Sequence, residues 1–305
     1  MLKKMKFSKD DPLLQMKTSE LGSQLGALQR EMKDTDLSLL IILSGWEATG
    51  KGQILNDLVR ELDPRYYHLT QFDDATDVDK KHPMLWRFFQ AFPIHGRMGI
   101  FDHSIYRELM RHPDYSEMEF MHAVRDIRFT ERLLTSDGCL VVKFFLDQSE
   151  KQMEDALDAM AKDKSRSFLL EDFDYYQLKH YDKFNKHFER IINNTTSLSC
   201  PWRVIDASDK NLASKQILAT LIRCLQWHLD NHRPPAPNRC RQSFTIRWPM
   251  SISRKPCRKQ NTAPSCVRCK KKPPICSISS ICTGSRRSSF SKAPTHPARA
   301  AASNV

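Results

Sequence analysis

Eight residues, Gly45-Trp46-Glu47-Ala48-Thr49-Gly50-Lys51-Gly52, carry the pattern G-x-x-x-x-G-K. Glycine at 45 and 50 lets the chain turn tightly enough for amide N–H groups to converge on one anion, and Lys51 adds a full positive charge. The pattern points to phosphate chemistry, with Gly45, Gly50, Lys51 and Gly52 as the cradle. Gly52 departs from the commonest form, in which a Ser or Thr hydroxyl ligands Mg²⁺. The metal must then be held by other groups. Two carboxylates are candidates, Glu47 inside the loop and Asp102 at the end of the apolar run Met98-Gly99-Ile100-Phe101. Together with Lys51 they are the candidate catalytic set.

The elements that must position these residues can be read from periodicity. Leu37 to Leu43 is an apolar run with the character of a buried strand, and Gln53 to Leu62 has Ile54, Leu55, Leu58, Val59 and Leu62 on one helix face. A helix with Leu21, Leu25, Leu28 and Met32 on one face should precede them. After Asp63-Pro64, Tyr66 to Phe72 alternates like a short strand. Asp73, Asp74, Asp77 and Asp79 then match no EF-hand spacing and read as a solvated loop. Met84 to Phe92 predicts a short helix whose Arg87 could face phosphate, and Met98 to Asp102 the next strand. Further on come a helix over Glu117 to Thr135, a buried strand over Leu140 to Leu146, and a helix from Ser149 to Met160. A long amphipathic helix over Glu171 to Ile192, a strand over Trp202 to Asp206 and a closing helix through Leu229 complete the domain. Strands alternating with helices imply a parallel, three-layer α/β fold. A carboxylate at the carboxyl end of a strand beside a phosphate loop is placed to reach a metal or orient an acceptor.

The loop, together with Leu62-Asp63-Pro64-Arg65, Leu85-Trp86-Arg87-Phe88-Phe89, Phe101-Asp102-His103-Ser104-Ile105-Tyr106, Leu140 to Leu146, Pro201-Trp202-Arg203-Val204-Ile205 and Asp209-Lys210, resembles the polyphosphate kinase 2 family over about Leu21 to Leu229. The resemblance implies a P-loop kinase fold, Mg²⁺ as cofactor held by Glu47 and Asp102, and phosphoryl transfer between inorganic polyphosphate and a nucleotide, AMP or ADP. It also implies a mobile helical lid near Lys162, Lys164 and Arg166, cations that with Arg87 would line the polyphosphate path. Two departures bear on activity. His103 stands where the family carries Arg, and a neutral imidazole cannot give the permanent bidentate clamp of a guanidinium; Arg107 or Arg111 would have to compensate. Ser167-Phe168 stands where the family's lid has Trp beside a basic residue. These departures leave an alternative, a catalytically degenerate half that binds phosphate or scaffolds a second like domain.

Charge divides the chain. Of the 48 Lys and Arg residues in the whole, 16 follow position 230, where there is no Asp or Glu. The remaining 32 face 36 acidic residues, so the body is slightly acidic and nucleic acid is not indicated as its partner. Body cysteines 139, 200 and 224 read as reduced thiols. No apolar run approaches a membrane span, and the expected location is cytoplasmic. The expected domains are a polar arm over 1–20, the P-loop domain over 21–230 and a disordered basic tail over 231–305. The six tail cysteines fit no standard zinc spacing; a basic arm for nucleic acid or polyphosphate is a better reading, and a frameshift better still. Regrouping the codons of Phe290 to Ala301 by one base permits F-E-G-T-D-A-S-G-K-G-G, a second phosphate loop. The same offset between Trp248 and Ser280 permits A-L-S-E-A-E-Y-R-T-E-L-R-P-L-Q-E-K-A-A-D-L-Q, a helix-like lead. The tail is thus expected to be the out-of-frame remnant of a second unit, as in tandem polyphosphate:AMP phosphotransferases. The body would pair with such a unit or with a second copy.

Overall fold

The computed structural model describes residues 2–8 and 10–231. Five strands form, β1 Ser38–Gly45, β2 Tyr67–Gln71, β3 Met98–Asp102, β4 Cys139–Asp147 and β5 Trp202–Asp206. All pair in parallel, in the order β2-β3-β1-β4-β5. Central strands β1 and β4 are covered on both faces, which is why they read as unbroken apolar runs. Register sets Leu43 and Gln71 opposite Asp102, Gly45 opposite Leu146 and Asp147 opposite Asp206. The carboxyl ends of the strands therefore share one edge, and the chain reverses direction across the sheet on either side of β1, where α/β folds bind ligands.

Ten α-helices surround the sheet among the described residues: α1 Pro12–Gln15, α2 Thr18–Met32, α3 Lys51–Val59, α4 Trp86–Phe89, α5 Arg107–Arg111, α6 Glu117–Ser136, α7 Glu150–Lys162, α8 Asp172–Lys179, α9 Tyr181–Thr195 and α10 Lys210–Asp230. On one face α2, α3 and α10 bury Leu21, Leu25, Ile54, Leu58 and Ile217 against Leu39, Ile41 and Leu43. On the other, α6 and α9 bury Phe120, Val124, Ile127, Phe184 and Phe188 against Leu40, Ile42, Val141 and Phe145. The three-layer expectation holds. A lysine is hidden in that aromatic layer: fully buried Lys143 donates to Glu131 Oε1 (2.7 Å), the Thr195 carbonyl (2.9 Å) and Tyr106 Oη (3.0 Å).

Three segments differ from their sequence reading. The helix expected over 171–192 is two, α8 and α9, separated at His180 (φ −113°, ψ 30°). The break lets Tyr181 stack on Trp46 at 4.2 Å and donate its hydroxyl to the Gln148 carbonyl, while α8 turns toward the sheet edge. The helix expected over 84–92 keeps only α4, because Phe92 precedes Pro93 and is biased away from helix. The polar first twenty residues are not a separate arm. The Met5 N–H donates to the Val204 carbonyl beside β5, and Asp11 caps α1 while accepting from Arg223 of α10. The tail lies outside the described residues apart from Asn231, which ends α10. Among the described residues no helix is long and apolar enough to cross a membrane.

Candidate functional site

β1 delivers Gly45 so close to β4 that a Cβ there would stand 2.5 Å from the Leu146 carbonyl oxygen; only glycine passes. The loop continues with Ala48 at φ 57° and Gly50 at φ 80° before α3 begins at Lys51. A left-handed alanine is strained and persists only where its surroundings fix it. Here they do. The Trp46 indole N–H donates to Asp147 (3.2 Å) and the Thr49 hydroxyl to the Trp46 carbonyl (2.9 Å). The Glu47 amide donates to Gln177 Oε1 (2.9 Å), and its carbonyl accepts from Gln148 Nε2 (2.8 Å). At the start of α3 the amides of Gln53 and Ile54 close onto the Gly50 carbonyl. Those of Lys51 and Gly52 are left without an intrahelical partner, as an anion site requires.

β3 brings Asp102 to the same edge, and a cleft of about 610 Å³ opens over the loop. Lys51 Nζ lies 3.3 Å from Glu47 Oε2 and 3.4 Å from His103 Nε2. Burial pushes the Glu47 carboxyl up, but the charge and hydrogen bond of Lys51, with the Arg107 charge adding, hold it below its ordinary value. Asp102 goes the other way: burial raises it, Lys51 draws it back, and the Glu47 charge raises it further. Its Oδ1 is buried with no hydrogen-bond partner among the described residues. His103, itself left-handed at φ 54°, is carried down to about 3, first by burial and then by Lys51. Its ring is therefore neutral near pH 7 and accepts from Lys51 through Nε2.

The cleft gathers Glu47, Gly50, Lys51, Gly52, Asp102, Arg107 and Arg166 of the expected set. Gly45 lines a small recess beside it, and Gly52 faces open space. Three expected cations are elsewhere in this conformation, among them Lys162, exposed at the end of α7 and 3.9 Å from Asp158. Arg87 lines a separate recess of about 310 Å³ and donates to the Asp73 carbonyl (2.8 Å). Lys164 is exposed on the turn after α7 and is not among the cleft's walls. Arg111, on the same face of α5 as Arg107, does line the cleft, its guanidinium 4.0 Å from the Phe173 ring centroid.

Sequence reasoning missed several members. Asp174 reaches the cleft from α8 and Lys210 from the first turn of α10, while Gln177 of α8 lines the small recess beside it. Burial raises Asp174, with the Glu47 charge adding to it. Lys210 had one signal, the Asp209-Lys210 block of the resemblance, which carried no site role; the others lie more than a hundred residues from the loop and had none. Asp74, read as part of a solvated loop, is the counter-ion of Arg107 at 2.9 Å. A second cleft of about 600 Å³, at the amino ends of β4 and β5, has only Arg203, His228 and two cysteines as ionisable walls and does not match this concentration of charge.

Comparison with known proteins meets the geometry here. The chain is 31% identical to the polyphosphate:AMP phosphotransferase of Pseudomonas syringae pv. tomato over 199 residues, 64% of this chain and 40% of that protein. It is 25% identical to the ADP-polyphosphate phosphotransferase of Rhodopseudomonas palustris over 65% of this chain and 74% of that one. The chain thus spans less than half the length of the first relative. Among solved structures, polyphosphate kinase 2 from Arthrobacter aurescens TC1 matches with a TM-score of 0.66 and 26% identity, covering 69% of this chain and 77% of that one. A polyphosphate kinase 2 structure from Pseudomonas aeruginosa, at 22% identity and a TM-score of 0.68 over 75% of this chain and 49% of its own, shares the fold. The family model for polyphosphate kinase 2 runs over residues 7–233, nearly all of the described chain. By that match, the chain belongs to the polyphosphate kinase 2 family.

Proposed function

We propose that the chain transfers a phosphoryl group between inorganic polyphosphate and a nucleotide, AMP or ADP, with Mg²⁺ held by Glu47 and Asp102. The observation that carries the reading is the buried, unpartnered Oδ1 of Asp102 in the cleft that also holds Glu47 and Lys51. Such an oxygen is costly unless a cation or donor joins it. No group of three or more ligating side chains forms among the described residues. That suits Mg²⁺, which takes one or two carboxylates and completes its shell with phosphate oxygens and water. When bound, the ion would neutralise charge on the phosphoryl oxygens.

The chain's own residues do the rest. Lys51 and the free amides at the start of α3 hold phosphate oxygens, and Arg107 and Arg111 bring guanidinium groups to a cleft whose position 103 lacks one. The attacking group is a nucleotide phosphate oxygen that is already ionised, so no general base is needed. One P–O bond forms to it, one P–O–P link of the polyphosphate breaks, and the leaving chain keeps the electron pair on its new terminal oxygen. Positioning and charge neutralisation supply the catalysis. The acceptor class is supported by two relatives, a polyphosphate:AMP phosphotransferase and an ADP-polyphosphate phosphotransferase.

His103 favours a second reading, a phosphate-binding unit without turnover. A contact of this kind lost from the transition state costs about 10²–10³ in rate. Incubating the protein with polyphosphate, Mg²⁺ and AMP or ADP, and resolving ADP or ATP by chromatography, tests both. Product that disappears in Lys51→Ala supports transfer. Lys51-dependent phosphate binding without product supports the second reading, and neither binding nor product rejects both.

A further inference from the structure

Five cations line the cleft: Lys51, Arg107, Arg111, Arg166 and Lys210. Four have a carboxylate within 4 Å, Lys51 with Glu47 (3.3 Å), Arg107 with Asp74 (2.9 Å), Arg111 with Glu171 (3.9 Å) and Arg166 with Asp163 (2.6 Å). Lys210 has none among the described residues. Its surroundings are already electropositive, because it is the first residue of α10 and lies beside the loop that opens α3. A cation at a helix N-terminus opposes the helix dipole, and here two N-termini are close at hand.

The side chain nevertheless reaches the loop. A Cβ on Gly50 would stand 2.8 Å from Lys210 Cε, 3.0 Å from Cδ and 3.2 Å from Nζ, so the ammonium and its stem lie across the turn of the loop. α10 is in turn fixed to α3: Asp209 caps it by accepting from the amides of Asn211 and Leu212, and the Ser214 hydroxyl donates to Asp57 of α3 at 2.9 Å. In the sheet, β3 with Asp102 and β5 with the approach to Lys210 lie on opposite sides of β1. The loop is thus flanked by an acid on one side and an unpaired lysine on the other. A residue disfavoured by its own neighbours, yet fixed at a functional loop, marks a site completed by something else.

We propose that Lys210 is a phosphate-binding residue of the cleft, a second ammonium beside Lys51 that takes a phosphoryl oxygen of a polyphosphate chain or of a nucleotide. The assignment rests on the phosphate-transfer reading of the same cleft and adds a contact on its β5 side. It extends the cradle beyond a single phosphate, as a linear anion requires.

The test is isothermal titration of the full chain with tripolyphosphate and, separately, ADP, each with Mg²⁺. Lys210→Met keeps the stem against Gly50 and removes the charge, whereas Lys210→Arg keeps the charge. Expected is a loss of roughly tenfold in affinity for Lys210→Met, the scale of one charged hydrogen bond, a smaller loss for Lys210→Arg, and an unchanged Tm without ligand. Loss with tripolyphosphate alone assigns Lys210 to the donor, loss with ADP alone to the nucleotide, and loss with both to a shared position. Binding of both ligands by Lys210→Met within twofold of wild type overturns the proposal, as does a fall in ligand-free Tm that the arginine variant does not rescue. Lys51→Ala run alongside separates the two claims, since ligand binding left unchanged by that substitution would reject the phosphate site itself.

Discussion

On the proposed phosphate-cleft reading, Asp74 competes with the ligand for Arg107, and replacing it should tighten polyanion binding. Its Oδ1 accepts from Arg107 Nη2 at 2.9 Å and Nε at 3.3 Å. Arg107 is 7% exposed at its side chain and faces the cleft, whereas Asp74 is 74% exposed. The carboxyl is held below its ordinary value first by that hydrogen bond, which outweighs the opposing effect of burial, with the Arg111, Arg107 and Arg87 charges also lowering it. A phosphate chain that engages Arg107 must displace Asp74. Because most of the carboxylate is in water, the pair is worth about 0.2–1 kcal/mol, so Asp74→Asn should bind tripolyphosphate about 1.5- to 5-fold more tightly. The gain should shrink as salt rises toward the range where the screening length is about 10 Å or less. The control is Asp77→Asn, which removes the same charge from the same loop but from a side chain 95% exposed and paired only with Lys80. Calorimetric titration of wild type and both variants at low salt decides the point. Equal gains in the two variants would reduce the effect to net charge, and weaker binding by Asp74→Asn would mean that Asp74 positions Arg107 for the ligand.

Other outcomes follow from the same geometry. Lys143→Met leaves buried Glu131 without its counter-ion, held by the Tyr106 hydroxyl alone, and should cost about 3–5 kcal/mol, a fall of roughly 6–20 °C in Tm. Adding Glu131→Gln should recover part of it; a single-variant cost below about 1 kcal/mol, measured by denaturant unfolding, would contradict the network. Asp11→Ala removes the cap of α1 and the partner of Arg223 and should cost about 1–2 kcal/mol at pH 7. The Asp11 carboxyl is lowered in the fold, first by the Arg223 hydrogen bond, so its contribution is present above the ordinary value of 3.8 and lost as pH falls through the lowered one. The gap between variant and wild type, followed by unfolding at successive pH values, should therefore close in strong acid. For the tail, sequencing the gene across codons 225 to 250 should reveal a one-base shift relative to a second unit of the same kind; an uninterrupted ancestral frame would discard the idea.

Where one local force dominates, the sequence was readable. β3 runs over Met98–Asp102 as expected because a short apolar run ending in an acid has few other homes. The loop was legible because its glycines answer to backbone demands within eight residues. α8 and α9 read as one helix because the apolar spacing through Phe173, Tyr181, Phe184 and Phe188 continues across His180, and the break is imposed from outside, by Tyr181 meeting Trp46. Lys143 was concealed inside an apolar strand because its partners come from α5, α6 and α9. The acidic loop is solvated as read, with Asp73, Asp74 and Asp77 exposed; what the sequence could not show is that Asp74 also pairs with Arg107 from α5. Charge type is written locally, whereas pairing is decided by the fold.

The central claim is a nest of main-chain amides and Lys51, closed by Glu47 and Asp102, that is built for Mg²⁺-bound phosphates. Its most direct test is calorimetric binding of tripolyphosphate with and without Mg²⁺ to wild type, Lys51→Ala and Asp102→Asn. The account predicts Mg²⁺-enhanced binding by wild type, loss of most affinity in Lys51→Ala, and loss of the Mg²⁺ enhancement alone in Asp102→Asn. Tripolyphosphate binding that is unchanged by Lys51→Ala, or Mg²⁺ enhancement that survives Asp102→Asn intact, would contradict it.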